Sequence, residues 1–437
     1  MLPWEPSGFG QAFPLALLST VCWGSWSNAS KTADKLKVPF PFVSSRRHSE
    51  RLVPHARRTL TASPPCAAHR LAPAAAHRLA PAAAHRLTPA AAQPSPRRVA
   101  VQFYFEYALS LFLTSVFFLQ TVGGGHITAV GACLPVGSGS CTSIAFSGAK
   151  VAAALGAGVV FNVANLLLVV AFTLAGLAVA FPLVIGTALV VGTSTTYAID
   201  PTGRPALLFS GVLLALLAVL ASARSHQLLE AHRAADEGGK RGGEGAEEAL
   251  VGPGGGGGAE ASSSSSGGGG GRSRNVVALC VAAGVLMGTW SPLVAYAQQG
   301  GAGQLTPYGE FLFFSLAALL TTPPLLMLQQ ADVLIPRTGP RIALSASACW
   351  GTAPGFGWGA VGGFVWSTGT LANAVAGNEI GFALSYALGQ SAPMVGVLWG
   401  LLYYGEYDGA PPSSRRALGA MFALYAGAIA LMAVGGS

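Results

Sequence analysis

The stretch Trp23-Gly24-Ser25-Trp26-Ser27 occurs again, with small changes, as Met287-Gly288-Thr289-Trp290-Ser291. Each copy lies in an apolar segment. The next apolar segment then opens with a matching tetrapeptide, Tyr104-Phe105-Glu106-Tyr107 in the first case and Tyr308-Gly309-Glu310-Phe311 in the second. Such a pattern, repeated in the same order in two halves of a chain, is typical of transporters built by internal duplication. The sequence therefore predicts two related halves.

The composition predicts a membrane protein. Hydrophobic residues make up 51% and charged residues only 10% of the 437 positions, which excludes an ordinary soluble domain. Ten apolar stretches are long enough, at roughly 17–25 residues, to cross a bilayer as helices. We expect an all-α polytopic fold of ten transmembrane helices in two inverted five-helix repeats. The predicted spans are 11–30, 103–122, 151–172, 175–199, 205–223, 275–297, 307–328, 349–374, 380–403 and 416–434.

The net charge of +8 does not indicate a nucleic-acid partner. Residues 43–102 hold ten arginines and one glutamate, a net +9, so the rest of the chain carries −1. Elsewhere lysine and arginine concentrate in the loops after odd-numbered spans, which the positive-inside rule assigns to the cytoplasm. Both termini are then expected outside the cytoplasm.

The spacing of the duplicated motifs also indicates an insertion in the first half. Trp26 and Tyr104 are separated by 60 more residues than Trp290 and Tyr308, and the low-complexity basic segment 43–102 is 60 residues long. We expect this segment to be disordered; a translated retained intron and a lipid-binding basic arm are open alternatives. The predicted units are therefore a first repeat, a Gly/Ser-rich disordered linker and a second repeat, at 1–223, 224–274 and 275–437.

Ionisable groups within membrane spans are rare and usually functional. Glu106 and Glu310 occupy corresponding places about one turn into the second and seventh spans. A carboxyl group desolvated there could alternate between protonated and ionised forms, as proton coupling requires. The alternative is a carboxylate near a helix N-terminus, stabilised by the helix dipole.

Aromatic and amide side chains are the candidate ligands of a substrate. Trp26 and Trp290 correspond in the two halves, and an indole can stack on a planar ligand. The amides or hydroxyls of Asn28, Asn162, Asn165, Thr370 and Gln390 could bind a polar heterocycle, or could link helices instead. Pro292 is expected to break the sixth helix near its middle.

Nothing in the chain indicates an enzyme. No Cys/His or Ser/His/Asp arrangement and no nucleotide-binding loop is present, and we expect no cofactor and no metal site. A disulfide between Cys133 and Cys141 is one alternative for the loop after the second span, and two free thiols are the other.

Several stretches resemble the drug/metabolite transporter superfamily and, within it, the ureide permease family. They are Leu17 to Trp26, the tetrapeptide at 104–107, Val190 to Asp200, Ser291-Pro292, and Trp399 to Tyr407. The resemblance implies proton-coupled uptake of allantoin, uracil and related heterocycles. This chain departs from the family pattern at Ser27, where the family carries proline, and its central loop is shorter.

Two other functions remain open from the sequence. One is a sugar porter of the glucose/ribose type in the same superfamily, and the other is a membrane scaffold or receptor without transport. We expect a multi-pass protein, in the plasma membrane rather than an internal membrane, that binds a small polar substrate and protons. A homodimer is an open alternative.

Overall fold

The computed structural model describes residues 3–26, 28, 96–128, 147–175, 177–249, 269–300, 303–330 and 357–436. Cys133, Cys141 and most of the segment 43–102 lie outside these residues. Helices account for nearly all of the described chain. They are α1 Phe9–Ser25, α2 Pro96–Thr121, α3 Gly148–Ala175, α4 Leu177–Ile199, α5 Pro205–Ala249, α6 Gly269–Gln298, α7 Pro307–Gln330, α8 Trp358–Ile380, α9 Phe382–Gly389, α10 Ala392–Trp399 and α11 Pro412–Gly436, with a π-helical turn at Gly400–Tyr404.

The helices confirm a polytopic helical membrane protein. Within the described ranges, seven helices are long and apolar enough to cross a bilayer: α2 to α7 and α11. The other three predicted spans coincide with α1, α8 and the pair α9–α10. That these three also cross the membrane, giving ten spans, stays a prediction.

The helix boundaries revise the two segments predicted to be disordered. α2 begins at Pro96, so the last residues of the segment 43–102 are helical, and Gln102 is buried. α5 continues past residue 223 to Ala249 because Ser225 and Leu229 on its extension are buried, and Ser225 bonds to Ser414 of α11. α6 already begins at Gly269. The disordered linker predicted at 224–274 stays a prediction for the residues between these two helices.

The expected break at Pro292 is wrong, and a break lies elsewhere. α6 runs without interruption through Pro292 and packs against both α3 and α4. The ninth span is interrupted instead, at Gln390 and Ser391. Pro393 stands in the first turn of α10, where its missing N–H is tolerated but a helix arriving from α9 cannot continue.

The helix contacts occur in matching sets. α1 packs against α8, and α6 packs against α3. In the same way α2 packs against α8, and α7 against α3. Two further pairs, α2 with α7 and α5 with α11, join helices at equivalent places in the two halves. The centre of the molecule is therefore formed by α2, α3, α7 and α8.

Glycines set the distance between these central helices. A Cβ atom on Gly158 of α3 would lie 2.1 Å from the carbonyl oxygen of Phe314 on α7, and one on Gly363 of α8 would lie 2.6 Å from that of Tyr107 on α2. The obstacle in each case is backbone, which moves only if the helices separate. Small residues allow this approach in membranes, where no hydrophobic effect draws helices together.

Gly158→Ala is expected to destabilise the protein by about 1–3 kcal/mol, because the added methyl group forces α3 and α7 apart. Gly156→Ala on the same helix is the matched control. Its Cβ would meet only a side-chain atom of Leu293 at 3.9 Å. Gly156→Ala should therefore change the stability only through the higher helix propensity of alanine. Thermal unfolding in detergent micelles measures both. Equal effects of the two substitutions would contradict the close contact.

Candidate functional site

Aromatic rings from both halves meet at the centre of the molecule. The indole of Trp23 on α1 lies nearly parallel to that of Trp366 on α8, with ring centroids 6.4 Å apart. Trp366 in turn packs on Phe161 at 4.5 Å and on Phe314 at 6.0 Å. Trp290 meets Trp23 edge-on at 5.9 Å. Stacked and edge-to-face geometries are those that aromatic pairs prefer, so the rings form one cohesive cluster.

A small cavity lies beside this aromatic cluster. Three of the predicted site residues, Trp290, Glu310 and Thr370, form its wall together with Ser291, Phe314 and Asn373. Its volume of about 10 Å³ is roughly what one water molecule needs. A heterocyclic ligand therefore enters only if the aromatic side chains or their helices move.

The hydroxyl of Thr370 is already engaged in this conformation. It accepts a hydrogen bond from the indole nitrogen of Trp23 at 3.0 Å and donates one to the carbonyl oxygen of Trp366 at 3.0 Å. Trp23 and Trp366 are central residues that the sequence analysis did not select.

The two predicted proton-coupling residues have different surroundings. Glu106 is bonded through both carboxyl oxygens, by the side-chain amide of Gln102 at 2.8 Å and the backbone N–H of Gly357 at 2.9 Å. Gly357 is the N-cap of α8, so this contact is that of an ionised group at a helix N-terminus. Glu106 thus meets the N-terminus of α8 and not that of its own helix, which begins at Pro96, and its part in proton coupling stays a prediction.

Glu310 is more deeply buried and poorly bonded. Only 1% of it is exposed. Its Oε2 lies 3.5 Å from the amide nitrogen of Gln298, at the limit of a hydrogen bond, and its Oε1 has no partner among the described residues. An unpaired buried carboxyl oxygen is costly and calls for a proton or a ligand.

The two carboxyl groups lie toward opposite ends of the molecule. α2 and α7 are antiparallel, since the hydroxyls of Ser115 and Ser315 are 2.8 Å apart and Gly123 faces Tyr308. With a rise of about 1.5 Å per residue, Glu106 and Glu310 are about 21 Å apart along the helix axes.

Asn162 links helices. Its amide nitrogen donates to the carbonyl oxygen of Ala318 at 2.9 Å and to the hydroxyl of Thr321 at 2.8 Å, and its oxygen accepts from the hydroxyl of Tyr104 at 2.6 Å. The side chain is thus fully used in joining α3 to α2 and α7. Asn165 bonds only to the carbonyl oxygen of Phe161 in its own helix, at 3.1 Å.

The other predicted ligands lie around the cluster and not on the cavity wall. Trp26 packs against Tyr107 at 5.2 Å. Asn28 is buried, and its amide is 3.4 Å from the carbonyl oxygen of Gly24. Gln390 is buried at the break between α9 and α10, one residue after the close contact of Gly389 with Trp23. Trp26, Asn28 and Gln390 therefore lie near the aromatic cluster but do not line the cavity that contains Glu310.

Residues 3–8 bond to the end of α2 and the start of α7. The N–H of Trp4 donates to the carbonyl oxygen of Val122 after α2, at 3.1 Å, and the hydroxyl of Tyr308 donates to that of Trp4 at 2.8 Å. Partial burial, and next the nearby carboxylate of Glu379, raise the pKa of Glu5. Because the docked Glu5 prefers its neutral form, acidification at this end strengthens the docking, and it weakens as the pH rises.

Asn162→Ala is expected to lower the unfolding free energy by about 1–2 kcal/mol, because it removes bonds between three helices and leaves Tyr104 without its acceptor. Asn165→Ala, which removes a bond within one helix, should cost less than about 0.5 kcal/mol. Unfolding in mixed detergent micelles by titration with SDS gives both values. Unchanged stability in Asn162→Ala, with weaker substrate binding, would instead make Asn162 a ligand.

Comparison with known proteins supports the resemblance of the sequence. No protein-family model matches the chain. Ureide permease 4 of Arabidopsis thaliana is 26% identical over 316 residues, which cover 64% of this chain and 76% of the relative. Ureide permease 1 of the same plant is 24% identical over 359 residues, which cover 75% of this chain and 87% of the relative. The similarity over most of each chain supports a ureide permease-like family for this protein.

Proposed function

We propose that this protein is a secondary active transporter that takes up ureides or nucleobases, such as allantoin and uracil, together with protons. The observation that carries the proposal is Glu310, a buried carboxyl group with an unpaired oxygen in a cavity that Trp290 also lines. Such a group provides a place for a proton next to a ring on which a planar ligand can stack. The names of both relatives, ureide permeases, support the same function and are consistent with a protein that is not an enzyme. They give no support to a sugar porter.

The matched helix contacts support transport by alternating access between two five-helix halves. A twofold axis that exchanged the two halves would convert the contact of α1 with α8 into that of α6 with α3, and would leave the pairs α2–α7 and α5–α11 unchanged. In transporters made of inverted repeats, the substrate site lies at the interface of the repeats and opens to each side in turn.

The conformation described is closed around the site. With a cavity of about 10 Å³, the resting arrangement excludes a heterocycle, and the broken helix α9–α10 beside Trp23 is an element able to move against the rest. We propose that a proton reaches Glu310 from the end at which α7 begins, where residues 3–8 bond to that helix. Uptake against a gradient then uses the proton gradient of the plasma membrane, which we propose as the location.

The transport activity itself is tested with purified protein in proteoliposomes. We expect labelled allantoin and uracil to accumulate when the inside is alkaline relative to the outside, and to equilibrate without accumulation when it is not. Glucose is the control solute and should not enter. Uptake of glucose that does not respond to pH would favour the sugar porter, and uptake of none of the three would favour a scaffold.

Glu310→Gln is expected to abolish proton-driven accumulation and to spare exchange of substrate across the membrane, because glutamine keeps the size of the side chain and cannot release a proton. Glu230→Gln, at an exposed carboxyl group on α5, is the matched control and should accumulate substrate normally. Glu106→Gln tests the other carboxyl group; as a cap of α8 it should lose stability, about 0.3–1 kcal/mol, and keep accumulation. Normal accumulation by Glu310→Gln would show that Glu310 carries no coupled proton.

A further inference from the structure

We infer that Glu310 binds the substrate directly, and that its protonated carboxyl group pairs with a ring edge on which an N–H stands next to a C=O, through two parallel hydrogen bonds. The inference rests on the transport of heterocycles proposed above and identifies the feature of those heterocycles that the site recognises. It also makes one side chain responsible for both the proton and the substrate.

The unused hydrogen-bonding capacity in the cavity is concentrated at Glu310. Its Oε1 is buried without a partner among the described residues, and its Oε2 has one long contact, 3.5 Å from Gln298. The Oε1 of Gln298 is likewise buried and unpaired within the described part of the chain. Such groups cost free energy when buried and are usually satisfied by a ligand, water or a proton.

The other polar groups of the cavity wall have less to offer. The hydroxyl of Thr370 is bonded to Trp23 and Trp366, and the amide nitrogen of Asn373 donates to the hydroxyl of Ser19 at 3.0 Å and to the carbonyl oxygen of Ser385 at 2.7 Å. The hydroxyl oxygen of Ser291 accepts a hydrogen bond from the hydroxyl of Thr196 at 3.0 Å. The hydroxyl proton of Ser291 can therefore be donated to another group, but it is a single donor. Glu310 is thus the main group able to make a two-point contact.

Protonation decides whether this contact is attractive. A neutral carboxylic acid presents one O–H donor and one acceptor oxygen side by side. A lactam or ureide edge presents N–H and C=O in the complementary order, so the two can form a closed pair. An ionised carboxylate presents acceptors only, and one of them would then face the carbonyl oxygen of the ligand without a proton between them. The proton and the substrate therefore bind together.

Trp290 complements this pairing. It lines the same cavity as Glu310 and is only 5% exposed, so its indole can cover the face of a planar ring whose edge is held by the carboxyl group. Glu106 cannot act in the same way, because Gln102 and Gly357 already bond both of its oxygens. The substrate class is therefore planar heterocycles with an unsubstituted N–H beside a carbonyl group.

The test uses the full chain in proteoliposomes and measures the KM for labelled uracil in counterflow, with the same pH on both sides. For the unmodified protein we expect KM to rise about tenfold per pH unit once Glu310 is ionised. In Glu310→Gln the side-chain amide offers the same donor and acceptor pair at every pH, so KM should stay constant. Glu230→Gln, at an exposed carboxyl group on α5, should keep the pH dependence of the unmodified protein.

The ring edge is tested with 1,3-dimethyluracil, which keeps the ring and its carbonyl groups and has no N–H. It should fail to inhibit uracil counterflow, whereas unlabelled uracil inhibits it. Inhibition by both compounds alike, or a KM in Glu310→Gln that rises with pH as in the unmodified protein, would overturn the pairing and leave the proposed transport intact. Absence of any heterocycle counterflow in the unmodified, folded protein would overturn the proposed function, and the pairing with it.

Discussion

The close approach of helix backbones at glycine is the constraint on which the rest of the structure depends. Gly158 and Gly363 bring α3 to α7 and α8 to α2, and Gly24 and Gly288 make similar contacts with α10 and α4. Lipid chains are as apolar as leucine, so helices gain little by burying apolar side chains against one another in a bilayer, and van der Waals contact between closely packed backbones takes that role. Because these glycines stand at corresponding places in the two halves, the centre of the molecule is built from equivalent contacts on both sides.

Close backbones leave room at the centre only for flat side chains, and this explains the aromatic cluster. Trp23, Trp290 and Trp366 fill the space between the halves so completely that about one water fits beside them. Each aromatic pair contributes about 0.5–1.5 kcal/mol beyond its buried area. When these rings separate, their mutual stacking energy is lost. A planar ligand that stacks on the same rings can replace part of that energy. The energy needed to open the site is therefore partly recovered by a ligand of the right shape.

Much of the fold and part of the site followed from the sequence. Hydropathy and the duplicated motifs predicted helical spans, and Trp290, Glu310 and Thr370 do share a cavity. Trp26, just after the end of α1, was selected and Trp23 was missed, because the motif alignment matches Trp26 to Trp290. Which of the two indoles joins the central cluster depends on how α1 packs against other helices, which the motif does not show. The same limit applies to Pro292: local sequence indicates where a helix can break, and packing between α3 and α4 decides that it does not.

The two glutamates show why pseudo-symmetry in sequence need not give equivalent chemistry. Their tetrapeptides are alike, but their partners differ. Glu106 bonds to Gln102 one turn earlier and to Gly357 at the start of α8, whereas Glu310 has only a long contact with Gln298 at the end of α6 among the described residues. No local pattern reveals the contacts with Gly357 and Gln298. Glu106 is thereby held at the start of α8, and Glu310 is left with an oxygen that has no partner among the described residues. Two matching halves therefore surround an asymmetric pair of buried acids, of which Glu310, toward one end of α7, has an oxygen without a partner among the described residues. In this way the difference between two similar residues can give direction to an otherwise symmetric molecule.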